Sequence, residues 1–333
     1  MSAQPESAGE AFVPAFAALL QGLHPLATAR TAVAPSGQLS AAARALWDRL
    51  RADGWLDIWA ADSREALAPE LLAFAEVAGR QALTLPFAFP ALLWPLLREQ
   101  PALAAVDWGV PADDVVAGRV HPQGEGAPVL VDFFGPAGHY LDVAMSAGGC
   151  VVRRLELQAA DAVPGLDACI PVAAVSAPEA RTLAQARFAA DPASLRALLQ
   201  PYLLFEYGQM VGAAAAALDL AIAHARERRQ FGRAIGEFQG VKHALADAWV
   251  AVDNGRYALR ALAAMDAADT GMAALLQRCD RLVSDSCRRA GRLAVQVHGG
   301  IGFAWEHDAH IHLKRIYKLA AQLRPLVQTL DAA

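Results

Sequence analysis

The sequence predicts a mostly α-helical protein with a small β domain between two helical parts. Three observations lead to this prediction: amphipathic helical spacing before residue 105, short β-branched runs from 105 to 185, and long apolar segments of helical period after 186. The 333 residues can bury a substantial core, and 55% of them are hydrophobic, which argues against a disordered chain. We expect an N-terminal helical domain (1–104), a small β domain (105–185) and a C-terminal helical bundle (186–333).

The N-terminal part should contain helices separated by glycine and proline. Residues 39–55 follow a Ser-Gly pair and place apolar side chains on one face, and residues 69–83 repeat this pattern after Pro69, which suits a first helical position. Residues 81–97 are apolar and free of charge. They contain three prolines, so we expect a buried, kinked segment rather than a membrane span.

The middle part should form short strands, and the last part should return to helix after Asp191-Pro192. Asp253-Asn254-Gly255 would ordinarily favour a turn, but the apolar period continues on both sides, which favours one uninterrupted helix. The predicted strands are 110–120, 127–134, 139–147, 150–157 and 170–177. The predicted bundle helices are 202–230, 237–267, 272–298 and 305–330.

Charge and cysteine usage exclude several classes of protein. The net charge is −5 and neither half is strongly basic, so we expect no nucleic-acid partner. The first twelve residues lack the basic and apolar regions of a secretory signal. The four cysteines show no CxxC spacing and suggest free, buried thiols in a reducing cytoplasm.

The first informative motif is RRQFG at residues 228–232, followed by Phe238 and Gln239. Arginines at a helix C-terminus before a capping glycine are also a purely structural pattern, since cations favour that end of the helix dipole. The functional alternative is a diphosphate site, in which an arginine neutralises phosphate oxygens while a phenylalanine packs on a flat heterocycle.

The second motif is QVHGGIGF at residues 296–303. Paired glycines can simply end a helix, but they also let a ligand approach the backbone closely. His307 and His310 lie three residues apart just beyond, yet no third ligand and no HExxH pattern accompany them, so we expect no metal. A solvated or helix-capping histidine face is the preferred interpretation.

Both motifs, in this order and at this separation, resemble the flavin-contacting segments of the acyl-CoA dehydrogenase family. The resemblance implies that fold, an FAD cofactor and an oligomer, because in the family these residues usually contact the flavin of a neighbouring subunit. Arg228 would contact the FAD pyrophosphate, Gln230 would add a polar contact and Phe231 would pack on the cofactor. The further contacts that the resemblance implies are Phe238, Gln239, Gln296, Gly299, Gly300 and Gly302.

The family's reaction is α,β-dehydrogenation of an acyl-CoA thioester, in which a carboxylate removes the α-proton and a hydride passes to the flavin. The two usual positions of that carboxylate correspond to Leu323 and Tyr202, and neither is acidic. Glu206 follows Tyr202 by one turn on the same helix face and is the candidate base. Its alternative interpretation is a carboxylate that stabilises the first turns of a helix. The family's Thr-Glu-Pro…Gly-Ser flavin loop is not found between residues 105 and 185, so the β domain should be trimmed.

Three functions remain open. The chain could be an active FAD-dependent acyl-CoA dehydrogenase that uses Glu206. It could instead be a non-catalytic partner that donates Arg228, Phe231 and the Gly299-Gly300 corner to a flavin on a full-length chain, as in some bacterial relatives that act on steroid side chains. It could also be a helical binding module without flavin. The expected partners are an acyl-CoA substrate and another acyl-CoA dehydrogenase chain, identical or different.

Overall fold

Helices at both ends of the chain flank a small β unit in the computed structural model of the protein, which confirms the predicted fold class. The structure describes residues 8–34, 38–109, 117–123, 129–133, 140–146, 148–157, 161–175 and 180–331. A continuous core runs from the N-terminal helices through one face of the larger sheet into the C-terminal bundle.

The N-terminal part consists of short helices packed around buried aromatic rings. The Ser40 side chain caps the third helix by accepting a hydrogen bond from the N–H of Ala43. The predicted kinked segment is mostly buried and contains a π-helical turn, Phe89–Leu93, which leads directly into the sixth helix. The helices are α1 Ala8–Leu23, α2 Leu26–Arg30, α3 Ala41–Ala52, α4 Ala61–Leu67, α5 Leu71–Arg80, α6 Trp94–Arg98 and α7 Pro101–Ala104.

The β unit contains two sheets. The larger has the order β1-β3-β4-β7, with β1 parallel to β3 and the other pairs antiparallel, and the smaller has the antiparallel order β2-β6-β5. The strands are β1 Ala117–Pro122, β2 Val129–Asp132, β3 Tyr140–Ser146, β4 Gly149–Leu157, β5 Asp161–Val163, β6 Val172–Val175 and β7 Ala180–Ala189.

Two of these strands, β5 and β7, were absent from the sequence prediction. Strand β7 has the sequence ARTLAQARFA, which is rich in residues that favour helix. It is a strand because it pairs along its whole length with β4, so tertiary pairing overrides local preference. Residues 110–116 of the first predicted strand lie outside the described residues.

Four long helices form the C-terminal bundle: α8 Pro192–Glu227, α9 Gln239–Ala264, α10 Met272–His298 and α11 Ala309–Asp331. Asp191 caps α8 by accepting a hydrogen bond from the N–H of Ser194 at 2.8 Å, as the Asp-Pro start signal indicates. Helix α9 continues without interruption through Asp253-Asn254-Gly255, which confirms the prediction. Gly255 is buried there against α10, and this packing outweighs the turn preference.

The ends of two bundle helices differ from the prediction. Helix α8 begins at Pro192 rather than 202 and ends at Glu227, because the RRQFG motif forms a hairpin instead of a last helical turn. Its strands are β8 Arg229–Gln230 and β9 Arg233–Ala234, joined through Phe231 and Gly232. Both turn residues have positive φ, 51° and 80°, as a tight two-residue hairpin requires. Helix α11 begins four residues later than predicted, after a turn at Trp305 and Glu306.

Helices α5 and α8 approach each other closely at glycines. A Cβ atom at Gly212 would lie 2.2 Å from the carbonyl oxygen of Glu76, and one at Gly79 would lie 2.0 Å from the carbonyl oxygen of Gln209. Only glycine permits this separation of the two backbones. The contact fixes the middle of α8, and with it the side chains that α8 directs towards the β unit.

Helix α8 is also, among the described residues, the one helix that is long and apolar enough to cross a membrane. Of its most apolar stretch, 67% is buried inside the protein. The apolar composition of α8 is therefore accounted for by its position in the core.

Candidate active site

A cavity of about 440 Å³ lies between α8, α11, β1 and the segment that follows α5. Hydrocarbon side chains line much of it, including Leu83, Leu85, Phe87, Phe89, Val172 and Leu319. Charged and polar side chains line the rest: Arg119, His121, Asp132, Tyr202, Glu206, Gln209, Arg315, Lys318 and Gln322. The cavity can therefore hold an amphipathic molecule.

Glu206 contributes the carboxyl group of α8 that faces this cavity. Burial raises its pKa to about 7, although the positive charges of Lys318 and Arg315 oppose the increase. Its Oε2 accepts a hydrogen bond from Nε2 of Gln209 at 2.9 Å, which holds the carboxyl group in one orientation. A desolvated carboxyl group with a pKa near neutrality has the properties of a general base.

The alternative interpretation of Glu206, as a carboxylate in the first turns of a helix, is wrong. Helix α8 starts at Pro192, so Glu206 lies well inside the helix, beyond the reach of the N-terminal dipole effect. Tyr202 also lines the cavity, and burial together with the nearby Glu206 raises its pKa well above the usual value. Leu323 is only 1% exposed and belongs to the core.

A polar cluster joins α11 to β2 at one wall of the cavity. Nζ of Lys318 lies 2.5 Å from Oδ2 of Asp132, and Nε2 of Gln322 donates to the same oxygen at 2.6 Å. Lys318 also donates to Oε1 of Gln322 at 3.2 Å. The Lys318 charge is thus balanced by Asp132 while its side chain is only 12% exposed.

A buried ion pair lies behind the cavity. The guanidinium of Arg315 donates from Nε to Oδ2 of Asp167, from Nη1 to the Leu83 carbonyl at 2.7 Å, and from Nη2 to the Ala82 carbonyl at 3.3 Å. The two charged side chains are 2% and 1% exposed. These bonds tie α11 to the segment after α5 and to the loop before β6.

A second group of charges lies on β1 and its neighbours. Asp142 on β3 is 3% exposed and contacts three basic side chains: Arg119 at 2.5 Å, His121 at 3.0 Å and Arg153 at 3.1 Å. Burial alone would raise the pKa of Asp142, but the hydrogen bond from His121 and the charge of Arg119 lower it to about 2. Asp142 is therefore ionised at neutral pH.

The first motif presents its residues to solvent. Arg228, Gln230 and Gln239 are exposed, and the Phe231 side chain at the hairpin tip is 93% exposed. Phe238 lies just before α9, with its ring centroid 6.2 Å from that of Phe231. The guanidinium carbon of Arg233 lies 4.1 Å from the centroid of the Phe238 ring. The exposed Phe231 ring is available to pack against a flat ligand or a partner chain.

The second motif lies beside the first. The ring of His224, in the last turn of α8, is 4.6 Å from that of His298, and His298 is 4.2 Å from His307, measured between centroids. Gln296, Gly299 and Gly300 are exposed there. Hence the structure brings the two motifs to one end of the bundle.

This end of the bundle fits a flavin diphosphate. A Cβ atom added at Gly299 or at Gly300 would have no neighbour within 4 Å, so the backbone is open to a ligand, and the exposed Arg228 supplies a positive charge at the same end of the bundle. Gly302 differs, because it is buried and a Cβ atom there would lie 2.8 Å from the Val295 carbonyl oxygen. Its contribution is local packing rather than an open surface.

The two histidines that follow the second motif have different environments. His307 caps α11 by accepting a hydrogen bond from the N–H of Ala309 at 3.1 Å, as predicted. The prediction of a solvated face is wrong for His310, which is 2% exposed and stacks on Trp305. Within the described part of the chain, no group of three or more His, Cys, Asp or Glu side chains could hold a metal ion.

The motif residues lie outside the cavity in the folded structure. None of the nine residues expected to bind cofactor at the two motifs lines the cavity, whereas Glu206 does. Sequence reasoning missed the other polar residues of the cavity, Arg119, His121, Asp132, Arg315 and Lys318. A sequence signal existed only for Arg119 and His121, which are polar side chains at alternate positions of one short strand.

Comparisons with known proteins place the chain among its relatives. A family model described as "Acyl-CoA dehydrogenase, C-terminal domain" matches residues 207–324. The chain is 31% identical over 215 residues to the acyl-CoA dehydrogenase IpdE2 of Mycolicibacterium smegmatis, a match that covers 62% of this chain and 65% of that protein. The matched part is thus slightly less than two thirds of the relative's length.

Solved structures share the fold over nearly the whole chain. One is the ChsE4-ChsE5 complex from Mycobacterium tuberculosis, with a TM-score of 0.72, 19% identity and 100% coverage of both chains. Another is the Tcur3481-Tcur3483 steroid ACAD G363A variant, with a TM-score of 0.67, 19% identity and 97% coverage of each chain. The family match assigns residues 207–324 to the C-terminal domain of the acyl-CoA dehydrogenase family, the 31% identical relative is a member of the same family, and the solved structures show that the whole chain shares its fold.

Proposed function

We propose that the chain is a subunit of an FAD-dependent acyl-CoA dehydrogenase that carries out α,β-dehydrogenation of an acyl-CoA thioester, with Glu206 as its catalytic base. The observation that carries the proposal is the Glu206 carboxyl group, which faces a 440 Å³ cavity and has a pKa raised by burial to about 7. Near that pH a substantial fraction of the carboxylate is ionised and can accept the α-proton.

The cavity residues prepare this proton transfer. Gln209 holds Oε2 of Glu206, so Oε1 is the oxygen that accepts the proton. The hydrocarbon wall formed by Leu85, Phe87 and Phe89 excludes water from the acyl group and favours a desolvated base. FAD supplies the acceptor for the hydride that leaves the β-carbon.

The two motifs would hold FAD across a subunit interface. Arg228 would neutralise the diphosphate, Gln230 and Gln239 would add polar contacts, and Phe231 and Phe238 would pack on the cofactor. Gln296 and the open Gly299-Gly300 backbone complete the contact. These residues lie outside the Glu206 cavity of their own chain. This supports the proposal that they contact the flavin of a neighbouring chain.

A partner subunit with no base of its own is the second candidate. It is favoured by the similarity to the ChsE4-ChsE5 complex, a structure of two different chains, and by the absence of acidic residues at positions 202 and 323. In that case the chain would supply Arg228, Phe231 and an assembly surface to a full-length dehydrogenase.

The remaining assignments follow from the family. We assign the parts 1–104, 105–185 and 186–333 as domains, and we place the protein in cytoplasmic degradation of fatty acids or steroids. Four free, buried cysteines support a reducing compartment.

Flavin reduction tests the catalytic proposal. The chain is purified alone and with a co-expressed dehydrogenase chain, and each FAD-containing preparation is mixed anaerobically with acyl-CoA while the visible flavin absorbance is followed. We expect bleaching by the wild type and a loss of at least about 100-fold in its rate for Glu206→Gln, since a general base contributes about 10²–10⁴-fold and its loss leaves no acceptor for the α-proton.

The matched control is Glu65→Gln, an exposed charge removal on α4 that should leave the rate unchanged. Full bleaching by Glu206→Gln would refute Glu206 as the base and leave the partner-subunit function. Absence of flavin from every preparation would contradict both candidates and favour a helical binding module.

A further inference from the structure

A cluster of charged side chains at the β1 wall of the cavity contains more positive than negative charge. Arg119 and Arg153 share the single carboxylate of Asp142, which is ionised at neutral pH. Arg315 and Lys318 are paired with Asp167 and Asp132, and the remaining carboxyl group of the cavity, Glu206, is hydrogen-bonded to Gln209. The cluster around Asp142 therefore has one more positive charge than negative charge.

His121 is a further partner of Asp142 in this cluster. Its Nδ1 lies 2.7 Å from the Pro122 carbonyl oxygen, and its Nε2 lies 3.0 Å from Oδ1 of Asp142. Both oxygens are hydrogen-bond acceptors, so the ring is held between the Asp142 carboxylate and the backbone of its own strand. His121 lines the cavity beside Arg119.

Arg119 is the group that can reach a ligand. Only its Nε is used by Asp142, and its two Nη atoms have no partner among the described residues. The side chain is 23% exposed and lines the cavity, whereas Arg153 does not line it and instead donates to Gln185 on β7. A guanidinium with two free Nη atoms is suited to two parallel bonds to a carboxylate or a phosphate.

A second observation points to a missing polar partner nearby. The Tyr140 side chain is buried, and its hydroxyl has no hydrogen-bond partner among the described residues. Its pKa is raised well above the usual value by burial first and then by the charge of Asp132, while Arg119 opposes the increase. Buried hydroxyl groups are normally hydrogen-bonded, so a polar partner is expected beside it, although Tyr140 itself does not line the cavity.

We propose that Arg119, supported by His121 and Asp142, binds an anionic oxygen group of the ligand in this cavity. The remaining wall is hydrocarbon, so the ligand chemistry is an apolar body with an anionic end. An acyl group that bears a carboxylate has this chemistry, and a phosphate of CoA or FAD is the other source of the same charge. This inference rests on the proposed function, because it specifies the acyl-CoA that the site accepts.

The test compares ligands that differ only in the distal carboxylate. Glutaryl-CoA and adipyl-CoA are compared with pentanoyl-CoA and hexanoyl-CoA, and with free CoA, by isothermal titration to the full chain in the assembly that retains FAD. We expect the carboxylate-bearing thioesters to bind about 10-fold to 100-fold more tightly than their alkyl counterparts, as for a hydrogen-bonded charge pair.

The variant Arg119→Gln should abolish that difference and leave the alkyl thioesters unaffected. Arg153→Gln is the matched control: it removes a guanidinium from the same Asp142 but from outside the cavity, so the preference should persist. Thermal unfolding of both variants shows whether each is folded; if Arg119→Gln unfolds, Arg119→Lys takes its place and should weaken the preference, since a point charge replaces the planar fork.

The outcomes separate the sources and the two proposals. If the anion site holds a phosphate, substitution of Arg119 weakens the binding of free CoA, of FAD and of all thioesters alike. A loss of affinity of 10-fold or more for all of them supports the anion site and assigns it to a phosphate. Equal binding of carboxylate and alkyl thioesters, with no effect of Arg119 on any ligand, overturns this inference while the acyl-CoA function stands. Failure of every thioester to bind the wild type contradicts the proposed function itself.

Discussion

Replacement of Arg315 by methionine should remove a large part of the stability of the protein. The guanidinium holds Asp167 and the carbonyl groups of Leu83 and Ala82, and neither charged side chain is more than 2% exposed. Methionine conserves much of the side-chain volume but leaves the Asp167 carboxylate buried and unpaired. Removal of one partner of a buried ion pair costs about 3–5 kcal/mol, against a total stability of about 5–15 kcal/mol.

Equilibrium unfolding in urea at pH 7.5 measures this loss. The double variant Arg315→Met/Asp167→Asn removes both charges, and we expect it to be more stable than Arg315→Met by about 2 kcal/mol, because no isolated carboxylate remains. The exposed pair of Arg49 and Asp53 on α3 is the matched control, and Arg49→Met should change the free energy of unfolding by less than about 1 kcal/mol. A loss below about 1 kcal/mol for Arg315→Met, or no recovery in the double variant, would refute the reasoning.

Three further predictions concern pH, packing and cofactor retention. Burial lowers the pKa of His312 from 6.5 to about 3, so the folded protein resists protonation of this ring. The free energy of unfolding should therefore fall as the pH drops below 6.5, by about 2 kcal/mol at pH 5. Unfolding measured at pH 7.5 and at pH 5.0 should show that His312→Leu loses about 2 kcal/mol less between the two pH values than the wild type does. Gly212→Ala should lower the free energy of unfolding by about 1–3 kcal/mol, because its Cβ atom would meet a backbone oxygen of α5. Gly240→Ala, where a Cβ atom has open space, should be neutral or stabilising. Equal melting temperatures for the two variants would contradict the close approach of α5 and α8. Arg228→Ala should lower the FAD-to-protein ratio after gel filtration by at least 10-fold through loss of a charge-assisted contact, while Arg226→Ala should not, and unchanged flavin in both would reject the assignment of Arg228.

The sequence could predict features that depend on neighbouring residues. Helical period, the Asp191 cap and the continuity of α9 each follow from local spacing, and each is present. In the hairpin of the first motif, only Gly232 is a residue that favours the positive φ of the turn. The residues before it favour helix, which obscured the end of α8. Strand β7 could not be predicted, because its alanines and arginines favour helix until β4 pairs with it.

The candidate site was predictable only in part, for a physical reason. Glu206 was found because it lies one turn from Tyr202 on a single helix. The charged groups around it come from distant parts of the chain: Arg119 from β1, Asp132 from β2 and Lys318 from α11. Their roles depend on burial and on mutual distance, and neither quantity is encoded in the spacing of residues along the chain.

The length of α8 has a consequence for mixtures of variants. Glu206 and Arg228 are 22 residues apart, the first inside this helix and the second at its end, which corresponds to about 33 Å along the axis. If Arg228 contacts the flavin of a neighbouring chain, then Glu206 and Arg228 of one chain belong to two different active sites of the assembly. Glu206→Gln and Arg228→Ala therefore damage different sites. Co-expression of the two inactive variants would then regenerate some intact sites, each combining a sound cavity from one copy with a sound motif from another, in the manner of intersubunit complementation.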